Sequence, residues 1–208
     1  MMQKRFVGLT LCAWTLAGLL TIGNSQLAAQ TEAWRLDPPH SAAQFAVRHM
    51  GISTVRGTFT RVTGDVQYSA TDPGKSSLDI TIDAASVDTR VEMRDNDVRS
   101  AHFLDTAKYP TITFKSKKIE TAGAGKLKVT GDLTLHGVTK EVVLDVDGPT
   151  PAMKDPRGNE RMGASAITKI NRQDFGMTSM PGAAGDEVTI TIDVEMVKQP
   201  GSAPPPAK

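Results

Sequence analysis

Apolar side chains in this chain fall on every second residue across most of its length, and that period fixes the fold class before any single residue is read. Phe45, Val47 and His49 share one side of an extended chain, and Val55, Gly57 and Phe59 repeat the pattern. Leu78, Ile80 and Ile82 alternate with Asp79, Thr81 and Asp83, and Ile112 and Phe114 alternate with Thr113 and Lys115. Leu127, Val129, Gly131, Leu133 and Leu135 continue the rule, and Val188, Ile190, Ile192, Val194 and Met196 close it. A period of two means strands with one face turned inward, the mark of an antiparallel sheet. Clusters such as Asp72-Pro73-Gly74, Ala122-Gly123-Ala124-Gly125, Asp155-Pro156-Arg157-Gly158 and Pro181-Gly182 separate the runs, giving about eight strands.

Such a sheet closes as a sandwich or as a barrel, and strand count does not decide between them. The runs from Arg56 to Tyr68 and from Gly185 to Val197 are long for a sandwich, and no Cys or Trp pair marks an immunoglobulin-like core. The expectation is therefore an extended antiparallel barrel. A barrel of about eight strands packs its interior or holds one small ligand. Gly57, Gly131, Ala164, Ala166 and Thr168 among the inward residues suggest unfilled space. One stretch breaks the period: Thr89 and Glu92 read as a capping box opening a short helix from Val91 to Ser100.

Residues 1–29 stand apart from the rest. Lys4 and Arg5 precede an uncharged apolar run from Phe6 to Gly23, and Leu27-Ala28-Ala29 supplies small residues for cleavage. This predicts a secretory signal cut after Ala29; the competing reading, a retained membrane anchor, is opposed by Asn24, Ser25 and Gln26, which end the run. Cys12 leaves with the signal, so the mature chain has no disulfide and no thiol chemistry. Lys4 and Arg5 also leave, and of 24 basic residues 22 remain against 23 acidic ones, a net charge of −1. No basic patch suggests nucleic acid. The expected organisation is one barrel domain over residues 30–198 and a disordered, Pro-rich tail over residues 199–208.

Catalytic and cofactor signatures do not emerge. There is no G-x-S-x-G elbow, H-E-x-x-H pair or P-loop, and Asp37, His40 and Ser41 crowd a Pro-broken turn where a triad would draw on separated segments. His40, His49, His102 and His136 show no metal-ligand spacing. The reading is no catalytic residue, no metal and no cofactor. His136-Gly137 suits a tight hairpin turn, while Arg94, Asp95 and Arg99 stand either at a pocket mouth or on an ordinary solvated face.

Together the blocks Leu36-Asp37-Pro38-Pro39-His40-Ser41, Phe45-Ala46-Val47-Arg48-His49-Met50 and Val55-Arg56-Gly57-Thr58-Phe59 resemble the opening of the YceI family of lipocalin-like proteins. The likeness continues through Arg94-Asp95, Arg99-Ser100, Phe103-Leu104-Asp105 and Lys108 to Ser116. It runs on through Gly131 to Lys140 and Arg172-Gln173-Asp174-Phe175-Gly176-Met177. Two positions depart from the pattern: the family usually has His where this chain has Asp97, and an acidic residue where it has His102. That bears on what headgroup the mouth of a pocket would accept.

The resemblance implies a periplasmic barrel whose elongated cavity holds a long amphiphile, a polyisoprenoid or quinone-like lipid; it also implies a homodimer. On that reading Phe45, Val47, Phe59, Phe114, Leu133, Leu135, Ile167, Phe175 and Met177 line the cavity. Arg94, Arg172 and His49 serve its polar end. A second reading is a stress or interaction protein whose barrel is filled by its own side chains and whose surface meets a membrane-bound electron carrier. A third, an enzyme acting on a lipid, requires His49 or His136 to face the interior beside a carboxylate or Ser.

Overall fold

The computed structural model of the chain describes residues 31–200. The expected signal over residues 1–29 and residues 201–208 of the expected tail lie outside the described residues. The strands are β1 (Glu32–Leu36), β2 (Ala42–His49), β3 (Ser53–Phe59), β4 (Val62–Tyr68), β5 (Ser77–Asp83) and β6 (Val87–Asp88). After the helix α1 (Glu92–Arg99) come β7 (Thr111–Thr121), β8 (Lys126–Leu135), β9 (Val138–Asp147), β10 (Met153–Lys154), β11 (Glu160–Asn171) and β12 (Ala184–Lys198).

Eight of these close into a ring in the order β11, β9, β8, β7, β5, β4, β1 and β12, with β12 pairing back onto β11 from Arg161↔Val197 to Asn171↔Glu187. The pairs are antiparallel, so the period-two pattern leads to the closed barrel expected of it. β2 and β3 prolong one side: β2 pairs with β12 from Ala184 to Asp193, β3 with β2, and the short β6 with β3. Where β6 ends, α1 and the loop after it take over as wall.

The expected long strand from Arg56 to Tyr68 is two strands. Gly57 and Phe59 are buried at odd positions, Val62 and Val66 at even ones, so the inward set changes parity across Thr60 and Arg61. A single strand cannot do that, because its side chains alternate strictly. The same shift separates Leu36 from Ala43 across Pro38–His40, where a 3₁₀ turn interrupts the chain. In β7 it separates Phe114 from Ile119, at a register shift between Ser116 and Lys118.

The helix opens differently from the expected capping box. Val91 is its N-cap and makes no side-chain cap bond. The Thr89 hydroxyl and backbone N–H both donate to the buried Asp95 carboxylate, at 2.5 and 2.7 Å. A carboxylate in the first turn is favourable beside the unpaired helix N–H groups, and here it takes the role expected of Glu92. At the other predicted turn, His136 and Gly137 adopt φ of 52° and 74°, the left-handed pair that a two-residue hairpin requires.

Candidate functional site

The barrel encloses a cavity of about 740 Å³. Its wall follows β12 from Ala184 to Met196, about 40 Å along a strand at roughly 3.3 Å per residue, or about 30 Å along the axis of a barrel with tilted strands. The bore is therefore long and narrow, the shape of an extended chain rather than of a compact ligand. Leu78, Ile80, Ile82, Leu133, Val142, Leu144, Ile190 and Ile192 are typical of its lining, which is almost wholly apolar.

Phe45, Val47, Phe59, Phe114, Leu133, Leu135 and Met177 all line the cavity. Two aromatic rings lie against glycines: a Cβ on Gly57 would stand 2.4 Å from Phe45 Cζ, and one on Gly131 would stand 2.5 Å from Phe114 Cζ. The expectation that Gly57 and Gly131 leave empty space is thus corrected, since their missing side chains make room for neighbouring rings. Phe45 also packs on Phe59, with centroids 5.8 Å apart. The open volume lies instead along Ala43, Ala164, Ala166 and Thr168.

Ile167 and Phe175 are corrections. Ile167 is 48% exposed on the outer wall, because Ala166 and Thr168 face inward and strict alternation sends their neighbour outward. Phe175 is buried in a 3₁₀ turn (Arg172–Phe175) outside the cavity wall, and its carbonyl meets His136 Nδ1 at 3.0 Å. That imidazole also stacks edge-on against Tyr109, with ring centres 4.9 Å apart, so His136 fastens the β8–β9 turn to the segment after β11.

The mouth lies at the end where the β2–β3 hairpin and α1 face each other. Arg48, His49 and Val55 come from the hairpin, Val91, Met93, Arg94, Asp97 and Val98 from the helix region, and Met180, Ala183 and Ala184 from the segment before β12. Arg94 Nε and Nη2 donate to the Thr89 hydroxyl and carbonyl, at 2.8 and 2.9 Å. Among the described residues, His49 makes no side-chain hydrogen bond or ion pair, and it stands open at the rim.

Arg172, expected at the polar end, does line the cavity, but its donors are already engaged. It is 2% exposed and donates to the carbonyls of Met177, Ser179 (2.9 Å), Ala184 (3.1 Å) and Gly185 (3.0 Å). Asp186 stands 3.1 Å from it. Arg172 thus ties down the chain from Met177 to Gly185.

The two departures from the family pattern meet each other. His102 Nδ1 lies 2.7 Å from Asp97 Oδ1, so the two form an imidazole–carboxylate pair. Of the two, Asp97 lies on the cavity wall.

Sequence reasoning missed the wall supplied by α1 and the following loop, notably Val98, Phe103 and Leu104. No period announces these residues; they are placed by backbone bonds such as Leu104 N–H to Val98 O (3.0 Å) and Thr106 N–H to Arg99 O (3.0 Å).

At the opposite end the Arg161 guanidinium joins three carboxylates: Asp37 at 2.5 Å, Glu195 at 2.5 Å and Asp155 at 2.8 Å. Asp37, His40 and Glu195 have ligand atoms within 4.8 Å of one another, a spacing a metal ion would accept, but a cation already sits among these carboxylates. Hydrogen bonds from Arg161 and then Asn159 hold Asp155 far below the usual carboxylate range, and those from Arg161 and His40 lower Asp37.

Comparison with known proteins gives a consistent set of likenesses. A family model described as the YceI-like domain matches residues 34–196. The protein YceI of Escherichia coli O157:H7 is 38% identical over 200 residues, covering 95% of this chain and 100% of that one. A crystal structure of a Campylobacter jejuni YceI protein superposes with a TM-score of 0.65 at 33% identity, over 73% of this chain and 90% of that one. A polyisoprenoid binding domain from Saccharophagus degradans, implicated in plant cell wall breakdown, matches in fold with a TM-score of 0.60 at 17% identity, over 81% and 99%.

Proposed function

Because the chain belongs to the YceI-like family, we propose that it is a binding protein that carries a long amphiphilic lipid, a polyisoprenoid or quinone-like molecule, inside its barrel. The observation that carries this reading is the long apolar bore with its charged side chains, Arg48, His49, Arg94, Asp97 and Arg172, gathered at one end. Each CH₂ moved from water into such a wall contributes about 0.8 kcal/mol, so a long tail binds without any precise polar recognition. The headgroup stays at the mouth, near His49, Arg94 and the Asp97–His102 pair. The fold shared with a polyisoprenoid binding domain points the same way.

The site of action in this reading is the periplasm, supported by Lys4, Arg5, the apolar run and Leu27-Ala28-Ala29. Two features favour binding over catalysis. His136 is held by the Phe175 carbonyl outside the cavity wall, and His49 has no carboxylate or Ser partner among the described residues. The reading of a barrel filled by its own side chains loses ground to the open volume along Ala164 and Ala166.

Organic extraction of protein purified from its native host, followed by mass spectrometry, tests the proposal. An isoprenoid chain is expected in the extract, with saturable rebinding after its removal. Absence of any lipid together with absence of saturable prenyl-lipid binding would overturn it.

A further inference from the structure

Among the described residues eight large apolar side chains stand exposed, and five of them ring the mouth: Met50 (58%), Ile52 (77%), Val91 (44%), Met93 (81%) and Met180 (47%). Val91, Met93 and Met180 are also cavity wall, so the apolar lining continues outward onto the surface between the charged side chains of the mouth. Met50 and Ile52 flank the tip of the β2–β3 hairpin, and the Met50 N–H donates to the Ala183 carbonyl at 2.8 Å. The Ala183 and Ala184 N–H groups in turn reach the Met180 carbonyl, so the hairpin tip and the Met180 turn form one connected edge. Scattered apolar side chains on a surface need no explanation, whereas a continuous rim of them does.

The backbone sharpens the point. Met50 and Met180 sit at φ of 51° and 55°, a left-handed conformation that favours Gly or Asn. A polar turn residue would suit both the backbone and water better, yet methionine, a flexible and adaptable apolar side chain, occupies both turns. The charge is also one-sided. Residues 48–56, 90–94 and 176–184 carry Arg48, Arg56, Arg90 and Arg94 against Glu92 alone, a net charge of +3 in a chain whose total is +1. The nearby carboxylates are engaged: Asp88 accepts the Arg90 N–H, Asp95 accepts from Thr89, and Asp97 pairs with His102.

We propose that this rim docks the barrel, mouth first, onto the surface of an anionic lipid bilayer. Its methionines, Ile52 and Val91 enter the headgroup boundary and its arginines meet the phosphates. The purpose of docking rests on the lipid-carrier reading, since a tail could then pass from bilayer to bore without crossing water; the binding to membrane itself does not depend on cargo.

The protein as the cell processes it, its N-terminus defined by mass spectrometry, is floated with vesicles of phosphatidylethanolamine and phosphatidylglycerol. The double variant M50S/I52S, at two rim positions outside the cavity wall, is compared with V143S/I167S, which changes two exposed side chains on the outer wall. The native protein and the outer-wall variant are expected to float alike. The rim variant should bind vesicles at least about tenfold more weakly, the effect of withholding two large apolar side chains from the membrane. Its thermal unfolding and its saturation with a soluble short prenyl alcohol should be unchanged, which separates a failure of docking from a failure of the carrier reading. Absence of flotation by the native protein, or equal loss in both variants, would overturn the proposal. So would a native dimer in sedimentation that the rim variant alone dissolves, since that would assign the rim to a second copy of the chain.

Discussion

The two ends of the barrel are built on opposite principles. At the far end Arg161 joins Asp37, Asp155 and Glu195, and Lys198 joins Glu32 and Glu160 while standing 5.8 Å over the buried Trp34 ring. Charged side chains from β1, β11 and β12 thus fasten the strands nearest both chain ends. At the mouth the anchoring is chiefly to backbone: Arg172 holds four carbonyls besides its ion pair with Asp186, Arg94 holds Thr89 and His136 holds Phe175. Ion networks lock strands together, while caps on backbone leave loops in place with apolar side chains turned outward. One end is thus tied together by charge, and the other presents apolar side chains to solvent.

The largest effect on this contrast is expected from Arg172→Met. It removes a buried charge and leaves the carbonyls of Met177, Ser179, Ala184 and Gly185 without their donor, at a cost of about 3 kcal/mol or more. Denaturant unfolding measures the loss, and hydrogen exchange should rise over residues 177–185 first. Next comes Gly131→Ala, whose Cβ would stand 2.5 Å from both the Lys115 carbonyl and Phe114 Cζ. Backbone cannot yield as a side-chain tip can, so a loss of about 1–3 kcal/mol is expected in the same assay.

The far end answers to pH. Asp155 and Asp37 have folded pKa values below their unfolded ones, so their stabilisation is fully present above the unfolded carboxylate range and fades as pH falls toward the folded values. The melting temperature should therefore drop progressively below about pH 4. In Arg161→Met the carboxylates lose their common cation, so melting should be lower at neutral pH and less sensitive to acid. A variant as acid-sensitive as the native chain would show that this network does not secure the far end. The smallest effect belongs to Ile167→Ser, within about 0.5 kcal/mol and without influence on ligand retention, because that side chain faces solvent.

The barrel was legible because alternation survives in one dimension: Leu133, Leu135, Ile190 and Ile192 declare their face by parity alone. Ile167 shows the rule used badly, since Ala166 and Thr168 on either side had already claimed the interior. Breaks were legible too, in the shift from Phe59 to Val62, but only when parity is followed across a whole run. Phe175 and Arg172 were not, because a 3₁₀ turn carries no period and a buried arginine is explained only by carbonyls that folding brings to it. The Asp97–His102 pair lies in the same blind spot: two residues, five apart, that meet only once the helix and its following turn are folded.

Whether the interior is kept open for a long apolar chain is decided by filling it. Ala166→Trp places a large side chain in the bore beside Ala164 and Thr168. Native mass spectrometry of the native protein and this variant, each saturated with a prenyl lipid, reads the result. A bound lipid is expected on the native barrel and none on the filled one, with folding retained in both by circular dichroism. Equal lipid on the two proteins would contradict it.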